Sequence, residues 1–347
     1  MMDQQTASGL PPRFDDAEAL DEFMTRPSRA LIDDLAALDG DLMIIGVAGK
    51  MGPTLARLAK RAAPDKRVIG VARFSEAGIK DYLDGHGVET VVTDLLDKRA
   101  VAELPRVRNL VFMAGRKFGS SGSQELTWAM NVHVPASVAD HFAGSRISAY
   151  STICVYPFAP VTSGGSREED EVGPPGEYAM SCVGRERIFE YFGKLHHSPT
   201  AIIRLSYAID MRYGVLHDVA AKVLAGEPVD VTMGHVNVIW QGDACAQSLR
   251  ALSHADVPAM ALNVSGPETV SVRMLAESFA RLLGKPARIV GREAETAWLA
   301  NTGKAAKLFG YPSVPLASMI EWAADWVAKR RGSFGKATHF EERTGTY

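Results

Sequence analysis

The sequence predicts an α/β protein built on a doubly wound parallel sheet, with a smaller mixed α/β lobe at its C-terminal end. Three observations support this fold class. Residues 42–62 pass from a short apolar run through three glycines into an amphipathic helix, as in the first βα turn of such a sheet. Up to residue 206, apolar β-branched segments alternate with segments of helical period. After residue 206 the strands become shorter and the alternation is lost.

The N-terminal part of the chain, residues 1–40, is predicted to be an extension ahead of the sheet. Residues 1–16 are polar, and we expect them to be disordered. Residues 16–38 have a helical pattern and predict one or two helices. The central Rossmann-type domain then spans residues 41–206. Its predicted strands are residues 42–47, 66–73, 89–93, 109–114, 146–152 and 201–206, and its longest helices are residues 123–142 and 177–192.

Residues 207–334 form the predicted C-terminal lobe, interleaved with late elements of the Rossmann domain, and short strands at 237–240 and 261–264 mix there with helices. Because ligands bind at the carboxyl edge of open α/β sheets, we expect this lobe to cover that edge and to supply a substrate pocket. The tail, residues 335–347, is polar and aromatic and shows no clear period. The helices of the lobe are predicted at residues 217–224, 243–253, 272–283 and 318–329.

The turn at residues 46–52 carries the strongest functional signal. Its sequence, G-V-A-G-K-M-G, is followed by Pro53, which suits the first turn of a helix. Main-chain amides and the helix dipole face an anion at such a point, and glycines permit its close approach. A tight turn without a ligand is the alternative, but the flanking strand and helix favour a bound diphosphate. The residues predicted to hold it are Gly46, Ala48, Gly49, Lys50, Met51 and Gly52.

The composition excludes several other classes of protein. The 347 residues include 38 Lys and Arg and 41 Asp and Glu, which are scattered and give a net charge of −3. This balance argues against a nucleic-acid partner and a polybasic membrane patch. No apolar run reaches the roughly 20 residues that span a bilayer, and the polar start lacks the apolar segment of a secretory signal. Three separate cysteines and nine scattered histidines match no disulfide or metal pattern, so we expect a cytoplasmic protein without a metal.

Further motifs follow the glycine turn in a fixed order. They are T-D-L-L at residues 93–96, F-M-A-G at 112–115, N-V at 131–132, S-T-I-C-V-Y at 151–156, Tyr178, I-R-L-S at 203–206, Q-G-D-A at 241–244 and L-N-V-S-G at 262–266. Together they resemble the extended short-chain dehydrogenase/reductases, the NAD(P)-dependent epimerase/dehydratase family. The resemblance covers about residues 42–327, and such a fold by itself does not name a reaction.

The resemblance implies a nicotinamide cofactor and the residues for its chemistry. Tyr178 matches the catalytic tyrosine, and Thr152 matches the hydroxyl that polarises the same substrate oxygen. Thr152 fits better than Ser151, because three residues separate it from Tyr156. Packing and strand-end hydrogen bonding are the structural alternatives for these side chains. Further contacts to the cofactor are implied at Asp94, Leu95, Ala114 and Gly115, as well as at Tyr178.

One position departs from the family pattern. The tyrosine is normally followed one helical turn later by a lysine that binds the nicotinamide ribose and lowers the pKa of the tyrosine, but this chain has Cys182. A neutral thiol is a weak donor, and a thiolate opposes ionisation of the phenol. Three explanations stay open. Another cation replaces the lysine, with Lys117 ahead of Arg185. Alternatively, the tyrosine stays neutral and acts as an acid in a reductase or dehydratase. Finally, the protein is a catalytically degenerate sensor of the dinucleotide.

The end of the second predicted strand bears on the choice of cofactor. An acidic residue about 20 residues beyond the glycines would bind the ribose 2′-hydroxyl of NAD, but this chain has Ala72 and Arg73 there. An arginine accommodates a 2′-phosphate instead. The sequence therefore predicts NADP, with NAD as the alternative.

Substrate and assembly are predicted more coarsely. The resemblance implies a small-molecule substrate with a carbinol or carbonyl, such as a sugar, sugar acid or related polyol. Tyr207 stands where many members that bind nucleotide sugars carry asparagine, which favours a smaller substrate. The resemblance also implies a homodimer formed through the helices at residues 123–142 and 177–192. Candidate substrate contacts are Arg116, Lys117, Tyr156, Tyr207, Arg212 and Trp240.

Overall fold

A computed structural model describes residues 9–117, 119 and 122–345. The strands, in chain order, are β1 (Leu42–Ile45), β2 (Val68–Ala72), β3 (Glu89–Val92), β4 (Asn109–Phe112), β5 (Arg146–Thr152), β6 (Ala159–Pro160), β7 (Thr200–Leu205), β8 (Tyr207–Ile209), β9 (Pro228–Asp230), β10 (His235–Val236), β11 (Val238–Trp240), β12 (Met260–Val264), β13 (Val270–Ser271), β14 (Arg288–Val290) and β15 (Thr296–Ala297). The helices are α1 (Ala17–Met24), α2 (Arg29–Ala37), α3 (Gly52–Ala62), α4 (Ile79–Gly85), α5 (Lys98–Ala102), α6 (Gln124–Trp128), α7 (Val134–His141), α8 (Glu177–His196), α9 (Val215–Ala225), α10 (Gln241–Arg250), α11 (Val272–Leu283), α12 (Gly303–Phe309) and α13 (Leu316–Ala328).

The central sheet contains seven of the described strands, in the order β12-β7-β5-β4-β1-β2-β3, and all its pairs are parallel. In β1, Leu42 lies opposite Val68 of β2 on one side and Asn109 of β4 on the other. The strand order therefore reverses at β1, and in such sheets ligands bind outside the carboxyl ends of the strands at this point. The predicted doubly wound parallel sheet is confirmed.

Two glycines fix the geometry of the first βα turn. Gly46 has φ +87°, and a Cβ there would lie 2.6 Å from the main-chain nitrogen of Ala114 in the neighbouring chain segment. A Cβ on Gly52 would lie 2.1 Å from the carbonyl oxygen of Val47. Both positions exclude larger residues, Gly46 because the segment after β4 comes close and Gly52 because the start of α3 packs against the residue Val47 after β1.

The strand predicted at residues 261–264 belongs to the central sheet, as a late Rossmann element interleaved with the lobe. The segment is part of β12, which pairs in parallel with β7 and forms one edge of the central sheet. Leu262 and Val264 are completely buried there. The chain leaves the sheet after β7 and passes through β8–β11 and α9–α10 before it returns, so the segment follows lobe elements in the sequence although it belongs to the sheet.

The C-terminal lobe has its own hydrophobic core. Helices α9, α11 and α13 pack on one another, and β8 pairs in parallel with β11. The amphipathic helix α11 matches its predicted bounds at residues 272–283. Its buried residues, which include Leu275 and Phe279, share this core with Trp322 and Trp326 of α13.

The expected disorder of residues 1–16 is wrong for residues 9–16, and residues 1–8 lie outside the described residues. Phe14 is buried, and its ring packs against Trp240 and Trp322 of the lobe. The Trp322 indole N–H donates to the carbonyl oxygen of Pro11 at 2.9 Å. One buried aromatic ring is enough to order a segment that is otherwise polar.

Two helices follow in residues 16–38, as predicted, and the first one joins both halves of the molecule. The carboxylate of Asp16 caps α1 by accepting from the N–H of Ala19. From α1, Glu22 accepts from the Arg57 and Arg61 guanidinium groups of α3, at 3.1 and 2.8 Å. Residues 9–24 thus contact the sheet domain through ion pairs and the lobe through aromatic rings.

Candidate active site

A cavity of about 1280 Å³ opens at the carboxyl edge of the sheet, between the central domain and the lobe. This volume exceeds the roughly 300–1,000 Å³ that is typical of a pocket for a drug-sized ligand. Its walls come from the glycine turn, the ends of β5 and β7, the start of α8 and a C-terminal segment. The lining residues used below are Gly46, Gly49, Lys50, Met51, Glu76, Gly115, Lys117, Thr152, Cys154, Tyr178, Tyr207, Arg212, Tyr213, Trp298, Phe334, Lys336 and His339.

The glycine turn and the amino end of α3 face this cavity. Among the described residues, no side chain caps α3, whose first turn contains Pro53. A Cβ placed on Gly49 would meet only the carbonyl oxygen of Gly46, at 3.4 Å, so this glycine leaves room for a close ligand. An uncapped helix amino end beside open space is the ordinary setting for a bound phosphate. The residues present therefore fit a diphosphate.

Thr152, Tyr178 and Lys117 meet in this cavity although they come from three different elements. Thr152 ends β5, and its hydroxyl oxygen accepts from the N–H of Cys154 at 3.1 Å. Tyr178 lies in the first turn of α8. Lys117 follows β4, and its Nζ lies 5.8 Å from the centroid of the Tyr178 ring. The structure therefore brings the three predicted catalytic side chains together.

The environment of Tyr178 favours the neutral phenol. Burial raises its pKa well above the ordinary value, and the thiols of Cys182 and Cys154 raise it further, against a smaller lowering by Arg185. The phenol also hydrogen-bonds to Cys182, one helical turn further along α8. At neutral pH this tyrosine is consequently a proton or hydrogen-bond donor rather than a base.

The pKa of Lys117 is shifted as well, but it is lowered. Burial lowers the pKa of its ammonium below the ordinary value, and interactions with Cys154 and Cys182 only partly oppose this. A lysine with a lowered pKa exchanges a proton more readily near neutral pH than an exposed lysine does. Lys117 therefore supplies both a positive charge and an exchangeable proton beside Tyr178.

Behind Tyr178, Arg185 of α8 is buried and donates two hydrogen bonds to structural oxygens. Its guanidinium donates to the carbonyl oxygen of Tyr150 at 2.9 Å and to the side-chain oxygen of Asn131 at 2.5 Å. Asn131 lies in the π-helix Ala129–His133 between α6 and α7. A Cβ on Gly115 would lie 2.4 Å from the nearest guanidinium nitrogen. Arg185 thus supports the cavity wall from behind and does not line the cavity.

The next residue of α8 makes a second buried link to the sheet. Glu186 accepts from the Ser151 hydroxyl at 2.5 Å and pairs with the Arg204 guanidinium at 2.7 Å. Arg204 also donates to the Tyr156 hydroxyl at 2.7 Å, which in turn donates to the side-chain oxygen of Asn263 at 2.9 Å. These bonds connect α8 with β5, β7 and β12. They fix α8, and with it Tyr178, relative to Thr152 on β5.

Three solved structures share this architecture at low sequence identity to this chain. UDP-glucose 4-epimerase from Thermotoga maritima, solved with UDP-glucose, is 16% identical with a TM-score of 0.71. UDP-glucuronic acid 4-epimerase from Bacillus cereus, solved with NAD, is 18% identical with a TM-score of 0.70. Pal from Bacillus thuringiensis is also 18% identical, with a TM-score of 0.70. Each match covers 84% of this chain and 99% of the other.

The chain has the fold of the UDP-sugar 4-epimerases. The resemblance to extended short-chain dehydrogenase/reductases is therefore confirmed for the fold. No family model matches the sequence, and a comparison with curated proteins finds no match either.

Several residues predicted to bind the cofactor in this epimerase fold do not line the cavity. Arg73 is exposed at the end of β2. Asp94 accepts from the N–H of Leu96 and so closes its own turn. Leu95 and Ala114 are buried in the core beside the sheet. The six residues predicted in the glycine turn do line it, together with Gly115 and Tyr178.

The predicted substrate contacts divide in the same way. Lys117, Tyr207 and Arg212 line the cavity, whereas Arg116, Tyr156 and Trp240 do not. The main-chain N–H of Arg116 donates to the side-chain oxygen of Asn131, and its guanidinium donates to the carbonyl oxygen of Gly119 in its own loop. Tyr156 belongs to the buried network with Arg204, and Trp240 lies in the aromatic core of the lobe.

Sequence reasoning missed a whole wall of the cavity. Residues 333–339, except Gly335, line it from the C-terminal end of the chain, and they include Phe334, Lys336 and His339. Glu76 of the loop after β2 and Trp298 of the lobe also line it. The only signal in the sequence was the aromatic content of a tail that has no periodicity.

Two classes of feature are not found in the described part of the chain. No helix there has the length and apolar character that crossing a membrane requires. Within the same residues, no group of three or more His, Cys, Asp or Glu side chains is arranged to hold a metal ion.

Proposed function

We propose that this protein is a nicotinamide-dinucleotide-dependent oxidoreductase of the epimerase/dehydratase type. The observation that carries the proposal is a single cavity in which the glycine turn, Thr152, Tyr178 and Lys117 all meet. The first of these features suits a dinucleotide diphosphate, and the other three suit proton transfer to or from a substrate oxygen. The neighbours solved with NAD and with UDP-glucose support the same reading.

The proposed proton transfers follow from the raised pKa of Tyr178 and the lowered pKa of Lys117. The bound dinucleotide would supply or accept the hydride. Tyr178, held neutral by its raised pKa, would donate to a substrate carbonyl oxygen, and Thr152 would hydrogen-bond to the same oxygen. Lys117 would take over the positive charge that the missing lysine provides elsewhere and would return a proton to the phenol. A protonated donor favours reduction of a carbonyl as the first step.

The decisive experiment measures oxidation of NADPH and NADH by the purified protein with keto-sugars, keto-acids and UDP-sugars. We expect turnover with one substrate class, and a loss of about 10²–10⁴-fold in kcat for Tyr178→Phe and Lys117→Met. Tyr191→Phe is the matched control, because Tyr191 lies on the same helix and is exposed. Tight dinucleotide binding without turnover would instead support the sensor, for which the loss of the lysine at Cys182 is the specific evidence.

The substrate class rests on the cavity and on the neighbours. UDP-glucose and UDP-glucuronic acid occupy related structures, so we propose a sugar or sugar acid carrying a carbinol or carbonyl. Tyr207 lines the cavity, and its bulk still favours a substrate smaller than a nucleotide sugar. Inhibition of dinucleotide turnover by UDP would support the larger class, and its absence the smaller.

The preference for NADP remains a prediction from Arg73, and the structure adds an opposing charge. Both side chains are exposed, but Glu76, three residues further on the same loop, lines the cavity and Arg73 does not. A carboxylate repels a 2′-phosphate, and a guanidinium attracts it. We expect Arg73→Ala to reduce the ratio of NADP to NAD affinity several-fold and Glu76→Gln to raise it. Equal ratios in both variants and the wild type would remove both residues from cofactor selection.

We also propose a homodimer formed through α6 and α8. Four large apolar side chains on these two helices are exposed in the monomer, namely Trp128, Met180, Tyr191 and Leu195. A contiguous apolar face of this kind is typical of a protein interface. Sedimentation should show a dimer for the wild type and a monomer for the double variant Tyr191→Glu with Leu195→Glu.

A cytoplasmic location is proposed from the state of the cysteines. Cys154, Cys182 and Cys245 are all buried and unpaired. Unpaired thiols are typical of proteins kept in a reducing compartment. Localisation of the tagged protein in intact cells would test this.

A further inference from the structure

The C-terminal segment, residues 333–345, lines the cavity with its first part and contacts the start of α8 with its last part. The N–H of Phe334 donates to the carbonyl oxygen of Arg212 at 3.1 Å, and the Phe334 ring centroid lies 4.9 Å from the Arg212 guanidinium carbon. Arg212 and the next residue, Tyr213, line the cavity as well. The segment therefore begins as part of the cavity wall.

Further along, the segment is attached to the lobe. The N–H and hydroxyl of Thr338 donate to the carboxylate of Asp218 in α9, at 2.8 and 2.6 Å. Phe340 follows and is completely buried in the lobe core. Residues 341–345 continue from this fixed point toward α8.

Arg343 attaches the last part of the segment to the strands beside the cavity. Its guanidinium donates to the carbonyl oxygen and the hydroxyl of Thr296 in β15, at 2.7 and 2.9 Å. The guanidinium carbon also lies 4.3 Å from the centroid of the Phe158 ring. Phe158 packs in turn on Trp298, which lines the cavity. Arg343 thus fixes the segment two residues before Gly345.

Gly345 packs directly on the main chain that begins α8. A Cβ on Gly345 would lie 2.5 Å from the carbonyl oxygen of Pro175 and 2.9 Å from the Cα of Gly176. Conversely, a Cβ on Gly176 would lie 2.5 Å from the carbonyl oxygen of Gly345. Both glycines have positive φ, +79° and +82°. Two main chains are therefore in close contact two residues before Tyr178.

Other contacts hold the start of α8 from the central domain. Asn131 donates to the Ser181 hydroxyl at 2.8 Å, and the Trp128 indole donates to the Glu177 carboxylate at 2.6 Å. Among the residues that the structure describes, no side chain caps α8 at its amino end. The first turn of this helix thus lies between the central domain on one side and the C-terminal segment on the other.

We propose that Arg343 and Gly345 are positioning residues, which fix the first turn of α8 and thereby the place of Tyr178 in the cavity. The inference rests on the proposed function, because it concerns the geometry of that reaction. A displacement of a reacting group by about 1 Å can lower a rate about 100-fold. One segment would then form a wall of the cavity and also position the proton donor.

A substitution at Gly345 tests the contact directly. Gly345→Ala places a Cβ against the main chain of Pro175 and Gly176, and we expect kcat to fall about 10- to 100-fold. The dissociation constant of the dinucleotide should stay unchanged. Gly335→Ala is the matched control, because Gly335 belongs to the same segment and has φ +63°, but its Cβ would meet nothing within 4 Å. Its kcat should equal that of the wild type, and thermal unfolding would show that both variants are folded.

Arg343 provides a second test. Arg343→Ala removes both hydrogen bonds to Thr296, and we expect the same selective loss in kcat. Arg343→Lys should recover part of it, since an ammonium can still donate to the Thr296 carbonyl oxygen. Arg292→Ala is the control, because Arg292 is exposed in the loop between β14 and β15. The double variant of Arg343 and Gly345 should lose no more than the larger single loss, since both act through one contact.

Hydrogen exchange measures the start of α8 without any substrate. The N–H of Met180 donates to the carbonyl oxygen of Gly176 at 3.1 Å and closes the first turn of the helix. We expect this amide to exchange faster in Gly345→Ala and Arg343→Ala than in the wild type and in Gly335→Ala.

The outcomes separate this role from the proposed function. Unchanged kcat in Gly345→Ala and Arg343→Ala, with an active wild type, would overturn the positioning role and leave the proposed function in place. Equal losses in kcat and in dinucleotide affinity, or unchanged exchange of the Met180 amide, would also overturn the positioning role alone. A wild type without turnover on any substrate would overturn both.

Discussion

The wall behind Tyr178 and the cavity in front of it both contain charged side chains, but the charges are compensated differently. In the wall, Glu186 and Arg204 pair at 2.7 Å, and Arg185 donates to two oxygens. In the cavity, Lys50 and Lys117 lie close together, and burial lowers the pKa of each. Glu186 and Arg204 therefore compensate each other within the fold, and Arg185 donates to uncharged oxygens. The cavity lysines instead line open space beside the glycine turn.

This difference separates structural from functional cations. Arg185 and Lys117 were both candidates to replace the missing lysine, since both follow motifs near the tyrosine. The contacts assign them different roles. Arg185 links the β5 backbone to the Asn131 side chain of the π-helix, whereas Lys117 lines the cavity beside Tyr178. A buried charge held by structural hydrogen bonds is therefore weak evidence of catalysis.

The largest expected effect on stability comes from removing the buried ion pair between Glu186 and Arg204 behind Tyr178. Glu186→Gln removes the charge that compensates buried Arg204, and we expect a loss of about 3–5 kcal/mol in the free energy of unfolding. The matched control is Glu190→Gln, one turn further along α8, because Glu190 pairs with a largely exposed Arg187. That substitution should cost less than about 0.5 kcal/mol. Urea denaturation of both variants checks this, and equal losses would contradict the division between wall and surface.

A smaller effect on stability is expected at Gly115, which lines the cavity and lies next to the Arg185 guanidinium. In Gly115→Ala, the new Cβ would lie 2.4 Å from the Arg185 guanidinium, which cannot withdraw without losing its bonds to Tyr150 and Asn131. We expect a loss of about 1–3 kcal/mol in unfolding free energy. In Gly85→Ala, a control at the end of α4, the Cβ meets nothing within 4 Å. If Gly115→Ala is as stable as that control, the wall is more adaptable than its hydrogen bonds indicate.

The smallest expected effect is a gain in stability, and it comes from replacing Lys50 in the cavity. Burial, then repulsion by Lys336 and Lys117, lowers the pKa of Lys50 to about 8, against an attraction by Asp218. A lysine whose pKa is lowered on folding destabilises the fold fully below about pH 8, and this cost disappears as pH rises toward the unfolded value of about 10.4. We expect Lys50→Met to stabilise the ligand-free protein by about 1–2 kcal/mol at pH 7, with the exposed fraction of the lysine reducing the full shift.

The same substitution at higher pH provides the control. Thermal or urea unfolding at pH 10 should show little difference between Lys50→Met and the wild type, since the lysine is then neutral in the folded protein. A stabilisation of equal size at both pH values would mean that side-chain shape, and not charge, decides the result.

Local patterns were sufficient to predict the sheet and the glycine turn. The alternation of strands and helices up to residue 206 identified six of the seven sheet strands, and Gly46 and Gly52 marked the close approach of the turn to its neighbours. The seventh strand, β12, was predicted as a strand among the lobe elements, but its place in the sheet was not specified. Its partner β7 is separated from it by more than 50 residues of lobe, and no local pattern records such a pairing.

The candidate site was predictable only where its residues stand in ordered motifs. Thr152 and Tyr178 could be found from spacing, and Lys117 from its place after the fourth strand. Lys336 and Glu76 could not, because their positions depend on how the C-terminal segment and the loop after β2 pack in three dimensions. Asp94 illustrates the converse, since its motif is present but its carboxylate is used within its own turn.

We expect the N-terminal segment, residues 9–24, to limit how ligands enter and leave the cavity. Residues 9–24 contact both halves of the protein, through Phe14 on the lobe and Glu22 on α3. A segment that bridges two domains resists the hinge-like domain opening by which many two-domain enzymes release their products. We therefore expect ligands to enter and leave the cavity when residues 333–339 move away from it. The central domain and the lobe would keep their relative positions.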